Sequence, residues 1–249
     1  MLKKLVFFLV SLVVSLIASM AVTWFAYLRP LRDRWGVVPD ESDHTWPGDD
    51  LVADASLVET RAITIEAAPA AVWPWLVQMG YGRGGWYSYD QMDNDAPSAD
   101  RIKPELQDLS VGDIMPTWPG GGFRVADMTP GETMSLYLDS EMVETQQHAA
   151  DADHKEASTA GLKVAGGMGG AAMPEFRASW TFVLEAIDGG THTRLVERLR
   201  ASTPKPNALH KVALPMFGVG VFLMTRKQLL GIKERVERPA ATGPTAVAA

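Results

Sequence analysis

The chain has no cysteine. That excludes disulfides, thiolate metal sites, cysteine nucleophiles and lipidated-cysteine anchors. Basic residues are also scarce, 23 Lys and Arg against 30 Asp and Glu, for a net charge of −7. Setting aside Lys3 and Lys4 leaves 21 against 30, or −9, for the rest. Phosphate contacts need clustered Lys and Arg, so nucleic acid is not an expected partner. No Gly-x-Ser-x-Gly occurs, which removes the serine elbow of the hydrolases. What remains is ordinary for a globular protein, 47% hydrophobic and 21% charged, and 249 residues suffice for one sizeable domain with appendages.

Charge is missing altogether from Leu5 to Leu28, a run of 24 residues. As a helix it would be about 36 Å long, enough to cross a hydrocarbon core of about 30 Å with some tilt. Trp24, Phe25 and Tyr27 stand where an interfacial aromatic belt would lie. A cleaved signal peptide is the rival reading, with Lys3 and Lys4 before the apolar run and small residues around Ser19-Met20-Ala21. Continuation of the run past that site favours an uncleaved single-pass anchor over residues 1–28. Lys3, Lys4 and the amino terminus face Arg29, Arg32 and Arg34 across it, so the side of the membrane stays open. Residues 29–59, punctuated by Pro30, Pro39, Pro47 and Gly48, read as a tether.

Periodicity then changes. Residues 60–66 alternate as a strand, with Ile63 and Ile65 on one face. Ala68-Pro69 opens a helix carrying Val72, Trp73, Leu76 and Met79, with a kink expected at Pro74 and a stop at Gly80. Strands are predicted over 114–118, 123–128, 132–139, 176–185 and 191–201, the last two joined by a turn at Asp188-Gly189-Gly190. On the final strand His192, Arg194, Val196, Arg198 and Arg200 share an outer face, while Thr193, Leu195, Glu197, Leu199 and Ala201 share the inner one. Residues 140–174, acidic and then glycine-rich, read as a mobile insertion. Residues 207–238 read as a helix broken near Pro215, and 239–249 as a disordered tail.

Between the first helix and the strands lies Gly80–Glu105, rich in glycine and aromatics. Gly80-x-Gly82-x-x-Gly85 formally matches a dinucleotide fingerprint, but that motif needs a strand before it and a helix after it. Here a helix precedes it and Trp86, Tyr87 and Tyr89 follow, so the glycines read as turn formers at a pocket rim.

This order resembles the SRPBCC superfamily, which contains START domains, polyketide cyclase/dehydrase-like proteins and the plant pollen-allergen-like proteins. The resemblance rests on Ala67-Ala68-Pro69-x-x-Val72-Trp73-Pro74-Trp75-Leu76-Val77-Gln78-Met79-Gly80, on Gly82 to Asp90, on Ser98-Ala99-Asp100-Arg101-Ile102 and on Gln107-x-Leu109-x-Val111-Gly112-Asp113, and covers about residues 47–237. It implies an α+β helix-grip fold over residues 60–238, a curved antiparallel sheet wrapped around a long C-terminal helix, with a hydrophobic-ligand cavity between.

Candidate ligand contacts follow. Trp86, Tyr87 and Tyr89 present large apolar faces with one polar tip, which suits a cavity wall. Trp118, Phe123, Tyr137, Trp180 and Phe182 lie on the strands and Phe222 on the last helix. Glu197, among apolar neighbours, must find a partner or shift its pKa upward, and Arg101 or His210 could supply one. Asp90 and Arg101 could instead clamp the rim. His148, Asp151, Asp153 and His154 have metal-ligand chemistry but fall in the expected insertion, where no preorganised site is anticipated. Val212 to Met224 lacks charge over 13 residues, too short to span a bilayer. It reads as a helix buried over the sheet, or as a portal dipping into a membrane surface.

The expected function is membrane-tethered binding of a hydrophobic small molecule or lipid, with no cofactor, metal or catalytic residue assigned. The alternatives are a cyclase/dehydrase-like or hydrolase-like enzyme using Glu197, Arg101 or His210, and an interaction module whose cavity is filled.

Overall fold

Six alternating stretches pair into one antiparallel sheet: β1 Leu57–Ile65, β2 Ile114–Trp118, β3 Gly121–Thr129, β4 Thr133–Asp139, β5 Arg177–Ile187 and β6 His192–Ser202. The computed structural model of the chain describes residues 2–153, 175–203 and 208–238. Strand order is β1-β6-β5-β4-β3-β2, so β2 to β6 form a meander and the first strand closes against the last. Irregularities of register at Pro116/Trp118 and Val125/Asp127 bend its far edge. Register sets three residues abreast on one face: Arg61 opposite Glu197, and Glu197 opposite Phe182.

Two helices cover that inner face. α4 (Pro69–Val77) starts on a proline in its first turn and contains Pro74. α7 (Ala208–Glu237) runs the length of the domain without the break expected at Pro215, where proline removes one backbone hydrogen bond but does not end the helix. The main core lies between them and the sheet and includes Ile65, Leu76, Met79, Met115, Met134, Leu136, Leu195, Leu229 and Ile232. The fold is therefore α+β, an antiparallel sheet with a long C-terminal helix across it.

The outer face is also covered. The segment read as a tether packs across it. Trp46 and Ala62 join Val183 and Val196 in a second apolar cluster, and Val37 packs against it. The arginines of β6 reach up into this strap. Arg194 forks onto Glu41 at 2.6 and 2.7 Å, within α3 (Pro39–Asp43). Arg198 forks onto Asp49 at 2.7 and 3.1 Å and also donates to Thr60. Arg200 donates to the Val52 carbonyl. The strap meets the sheet closely at Gly48, where a Cβ would stand 2.6 Å from the hydroxyls of Ser135 and Thr181.

At the N-terminus, α1 (Leu2–Thr23) continues through a π-helical turn at Trp24–Leu28 into α2 (Arg29–Asp33). Among the described residues no helix is long and apolar enough to cross a membrane. The side chains of Leu5, Val6, Phe7, Leu9 and Val10 lie outside the described set. A further difference concerns the insertion. Its acidic half forms α6 (Ser140–Asp153), and Gln146 bonds both the amide and the carbonyl of Gly122. Its glycine-rich half, residues 154–174, lies outside the described residues, as does the tail from residue 239.

Candidate functional site

Loop 78–107 is fastened by a closed polar network. The Gln78 side chain is fully buried. Its amide donates to the Tyr87 hydroxyl (2.9 Å) and the Arg101 carbonyl (3.2 Å), and its oxygen accepts from the Lys103 amide (2.9 Å). Arg83 turns back onto the carbonyls of Val77, Met79 and Leu106. Gly80 and Gly85 bond each other through amide and carbonyl in both directions, at 3.2 and 3.1 Å. Those amides are spent within the loop, which supplies the physical reason that this glycine motif is not a phosphate cradle. Gly85 has φ +76°, and a Cβ there would meet Ser98 at 2.4 Å.

The structure divides the predicted contacts into three groups. The first is an aromatic cluster on the inner face. Trp86 stacks on Trp180 with ring centroids 5.3 Å apart, Phe123 meets Trp180 edge-on at 5.8 Å, and Phe182 lies 5.2 Å from the same indole. The second is Tyr87, held as a core residue. Its hydroxyl is bonded to Gln78 and to the Trp75 carbonyl (3.0 Å), its ring meets Trp75 edge-on, and it adopts φ +58°. Burial raises its phenol pKa well above the ordinary 10. The third group stands away from the cluster. Tyr89 is exposed, and Arg101 is exposed with only its carbonyl drawn into the Gln78 network. Trp118 folds over Gly121 at the β2–β3 turn, and Tyr137 sits beneath Arg124 at 6.0 Å. The expected Asp90–Arg101 clamp does not form. Asp90, the first residue of the short α5 (Asp90–Asp93), instead takes the amide and hydroxyl of Ser98, because Ser98 lies directly under the loop and the Arg101 side chain is exposed.

Beside the aromatic cluster sits a buried ionic group. Glu197 is fully buried. Its Oε1 accepts from the Trp180 indole N–H at 2.7 Å, and its Oε2 has no hydrogen-bond partner among the described residues. Arg61 faces it across the β1–β6 pair and is fully buried too. The Arg61 Nη2 donates to Glu59 Oε2, while Nε and Nη1 have no hydrogen-bond partner among the described residues. Its guanidinium lies 5.6 Å from the Phe222 ring, which brings that predicted residue to the same place. Arg32 reaches Glu59 Oε1 at 3.2 Å from the end of α2.

Burial dominates the electrostatics here. It raises the Glu197 carboxyl from its ordinary 4.5 to about 7, against the opposing pull of Arg61 and the indole hydrogen bond and with the help of Glu59. Glu59 is raised as well, burial outweighing Arg61 and Arg32. A carboxyl poised near neutrality can hold or release a proton, and the Arg61 guanidinium, which faces it across the strand pair, retains unbonded donors among the described residues.

The sequence identified Glu197 but assigned it the wrong neighbour: its hydrogen-bond partner is Trp180 and the cation across the strand pair is Arg61, with Arg101 on the surface. The side chain of His210 lies outside the described set. Arg61, Glu59 and Arg32 were missed. A signal existed for Arg61, which shares a face with Ile63 and Ile65 at two-residue spacing. Among the described residues no cluster of His, Asp and Glu could hold a metal, and His154 with the side chains of Asp151 and Asp153 falls outside them. A shallow depression at the base of α6, lined by Asp139, Glu141, Met142, Thr145 and Gln146, shares no residue with the aromatic cluster.

No family model matches the chain. No curated protein sequence matches it either. Among solved structures, a conserved protein from Geobacillus kaustophilus aligns over 72% of this chain and 95% of its own, at 13% identity and a TM-score of 0.37. The Aha1 dimer from Colwellia psychrerythraea aligns over 72% of this chain and 98% of its own, at 16% identity and a TM-score of 0.30. Likenesses this weak carry no argument about function.

Proposed function

We propose that this protein is a membrane-anchored domain of the helix-grip, SRPBCC-like kind that binds an apolar molecule carrying one oxygen-bearing polar end. The observation that carries the reading is the pair of fully buried groups left with open hydrogen-bonding capacity, Glu197 and Arg61, beside the indoles. A buried polar atom without a partner costs roughly 1–3 kcal/mol, and more when charged. Such a cost is tolerated where something else completes the bonds. A ligand hydroxyl would accept from Arg61 and donate to ionised Glu197. A carbonyl or carboxyl would accept from Arg61 and from protonated Glu197. The apolar body would lie against Trp86, Phe123, Trp180 and Phe182, gaining about 25 cal/mol per Å² removed from water.

The anchor rests on sequence and on exposure. Phe8, Leu12, Val13, Val14, Leu16 and Met20 stand bare on α1. Such a row of exposed apolar side chains is unfavourable in water and favourable in a bilayer. An anchored domain sits where apolar molecules are most concentrated. A second reading, an enzyme acting on the held molecule, is favoured by one observation only, the Glu197 carboxyl at about 7, which suits a general acid or base at neutral pH.

Native mass spectrometry of the purified full chain, exposed to total lipid extract and released from detergent, tests the binding reading. An adduct of defined mass is expected on the wild type and not on Trp180→Ala. A bare wild-type spectrum in every extract tried would count against ligand binding. Chemical conversion of the retained molecule over time would favour the enzyme.

A further inference from the structure

We propose that the edge of the domain formed by α2 and the outward side of α7 rests on a layer of anionic phospholipid headgroups; the inference builds on the membrane-anchor reading. The argument begins with how rigidly α2 is attached. Arg32 is buried, 3.2 Å from Glu59, and a Cβ on Gly218 would stand only 2.8 Å from its Nη1. The absence of a side chain at Gly218 therefore lets α2 dock against α7.

Beside that junction lies an exposed mixture of cationic and apolar groups. Arg226 lies over the Trp35 ring at 5.1 Å, tying α7 to the end of α2. Leu223, three residues earlier on the same face of α7, is 49% exposed. Arg29 and Arg34 are exposed on the α2 side. On the other flank, Ser88 donates to the Met224 carbonyl, and Tyr89 and Met92, which follow it in the chain, are 44% and 55% exposed. Asp33 is held by Arg32 at 2.7 Å and by Arg29 at 3.4 Å, and Asp90 is turned onto Ser98. The Asp93 carboxylate oxygens are buried, and burial raises that carboxyl to about 6.

Arg with Tyr, Leu and Met is the composition of a bilayer interface, where rings and aliphatic groups enter the headgroup layer and guanidinium groups meet phosphate. Such a local grouping is the more telling on a chain of net charge −7. Most of this protein would be repelled by an anionic membrane, and this edge would not.

The lack of native cysteine allows a clean test. Single nitroxide labels are placed at Leu223→Cys, at Leu16→Cys on α1 and at Glu185→Cys on the exposed end of β5. The full chain is reconstituted in bilayers of phosphatidylcholine with or without phosphatidylglycerol, and accessibility to oxygen and to an aqueous nickel chelate is read. The label at 16 is expected to be lipid-buried in both bilayers and the label at 185 aqueous in both. The label at 223 is expected at headgroup depth with phosphatidylglycerol, severalfold more protected from nickel than without it. Arg29→Gln/Arg34→Gln/Arg226→Gln should abolish the difference while circular dichroism stays unchanged. A 223 label as aqueous as 185 in anionic bilayers, with 16 buried, overturns the docking edge and leaves the anchor. Equal protection of 223 in both bilayers overturns the anionic preference. An aqueous label at 16 removes the anchor itself, and the docking edge with it.

Discussion

The two faces of the sheet treat buried charge in opposite ways. On the outer face Arg194 and Arg198 each fork onto one carboxylate, and each also reaches a threonine. Burial alone would raise Glu41, yet its bonds from Arg194 and the Val38 amide hold it below its ordinary 4.5. On the inner face, three residues beyond Arg194 on the same strand, Glu197 is pushed up to about 7 with one oxygen unbonded. Composition does not explain the difference, since both faces pair arginine with glutamate. Geometry does: the outer pairs are completed by the strap, and the inner group is left incomplete. The outer face holds the strap, and the inner one keeps buried polar atoms without hydrogen-bond partners among the described residues.

Breaking each face should give distinguishable losses. The largest is expected from Arg61→Met. It leaves Glu59 and Glu197 facing each other without their shared cation, and should cost about 3–5 kcal/mol by chemical denaturation. A loss below the level of a surface substitution would show that this arginine is not buried as described. Arg198→Ala strips the bidentate pair and the Thr60 bond from the outer face. A cost of roughly 1.5–3 kcal/mol is expected there, without any change in ligand retention. Loss of a retained ligand on this substitution would contradict the separation of the two faces.

The pH responses should also be opposed. Because the folded pKa of Glu197 is raised, the native state holds a proton that the unfolded chain has released between about pH 4.5 and 7. Its contribution is full below 4.5 and is lost as pH rises through 7. Glu41 is lowered, so its contribution is present above its unfolded pKa and lost on acidification. Glu197→Gln is therefore expected to flatten the decline of stability from acid to neutral pH, a change on the order of a few kcal/mol at most. The slope contributed by Glu59 and by Asp93, whose buried carboxyl is raised to about 6, would remain. An unchanged curve would mean that Glu197 is ionised throughout. The smallest effect is expected for Ser98→Ala, which removes bonds to Asp90 and the Tyr87 amide and should cost about 1 kcal/mol without altering the pH curve.

How far this contrast could be read beforehand depends on which elements carry it. Two-residue alternation and turn signals located all six strands within a few residues, and the inward placement of Glu197 between Leu195 and Leu199 followed from the alternation. The same rule applied one turn of register earlier on β1 would have put Arg61 inside. Extending the strand back to Leu57 would have added Glu59. Partners were harder. Arg101 is kept on the surface, away from Glu197, by a loop whose path depends on Gln78 and the Gly80–Gly85 pair, and no local pattern encodes that path. The strap was illegible for a similar reason. Its prolines and glycines mark irregular backbone, but its grip on the sheet comes from Trp46, Glu41 and Asp49 meeting residues about 150 positions away.

The most direct test of the central claim compares long-chain ligands that differ only at the polar end. Dissociation constants of the wild type for an alcohol, its methyl ether and the matching carboxylic acid would be measured by titration into the detergent-solubilised full chain. The same series would be run on Glu197→Gln and on Arg198→Ala. The account predicts that the wild type prefers a free hydroxyl or carboxyl over the ether by roughly 10-fold or more, as expected where a buried polar group is otherwise left unpaired. It predicts that Glu197→Gln changes that preference and Arg198→Ala does not. Equal affinity for all three ends, in all three proteins, would contradict it.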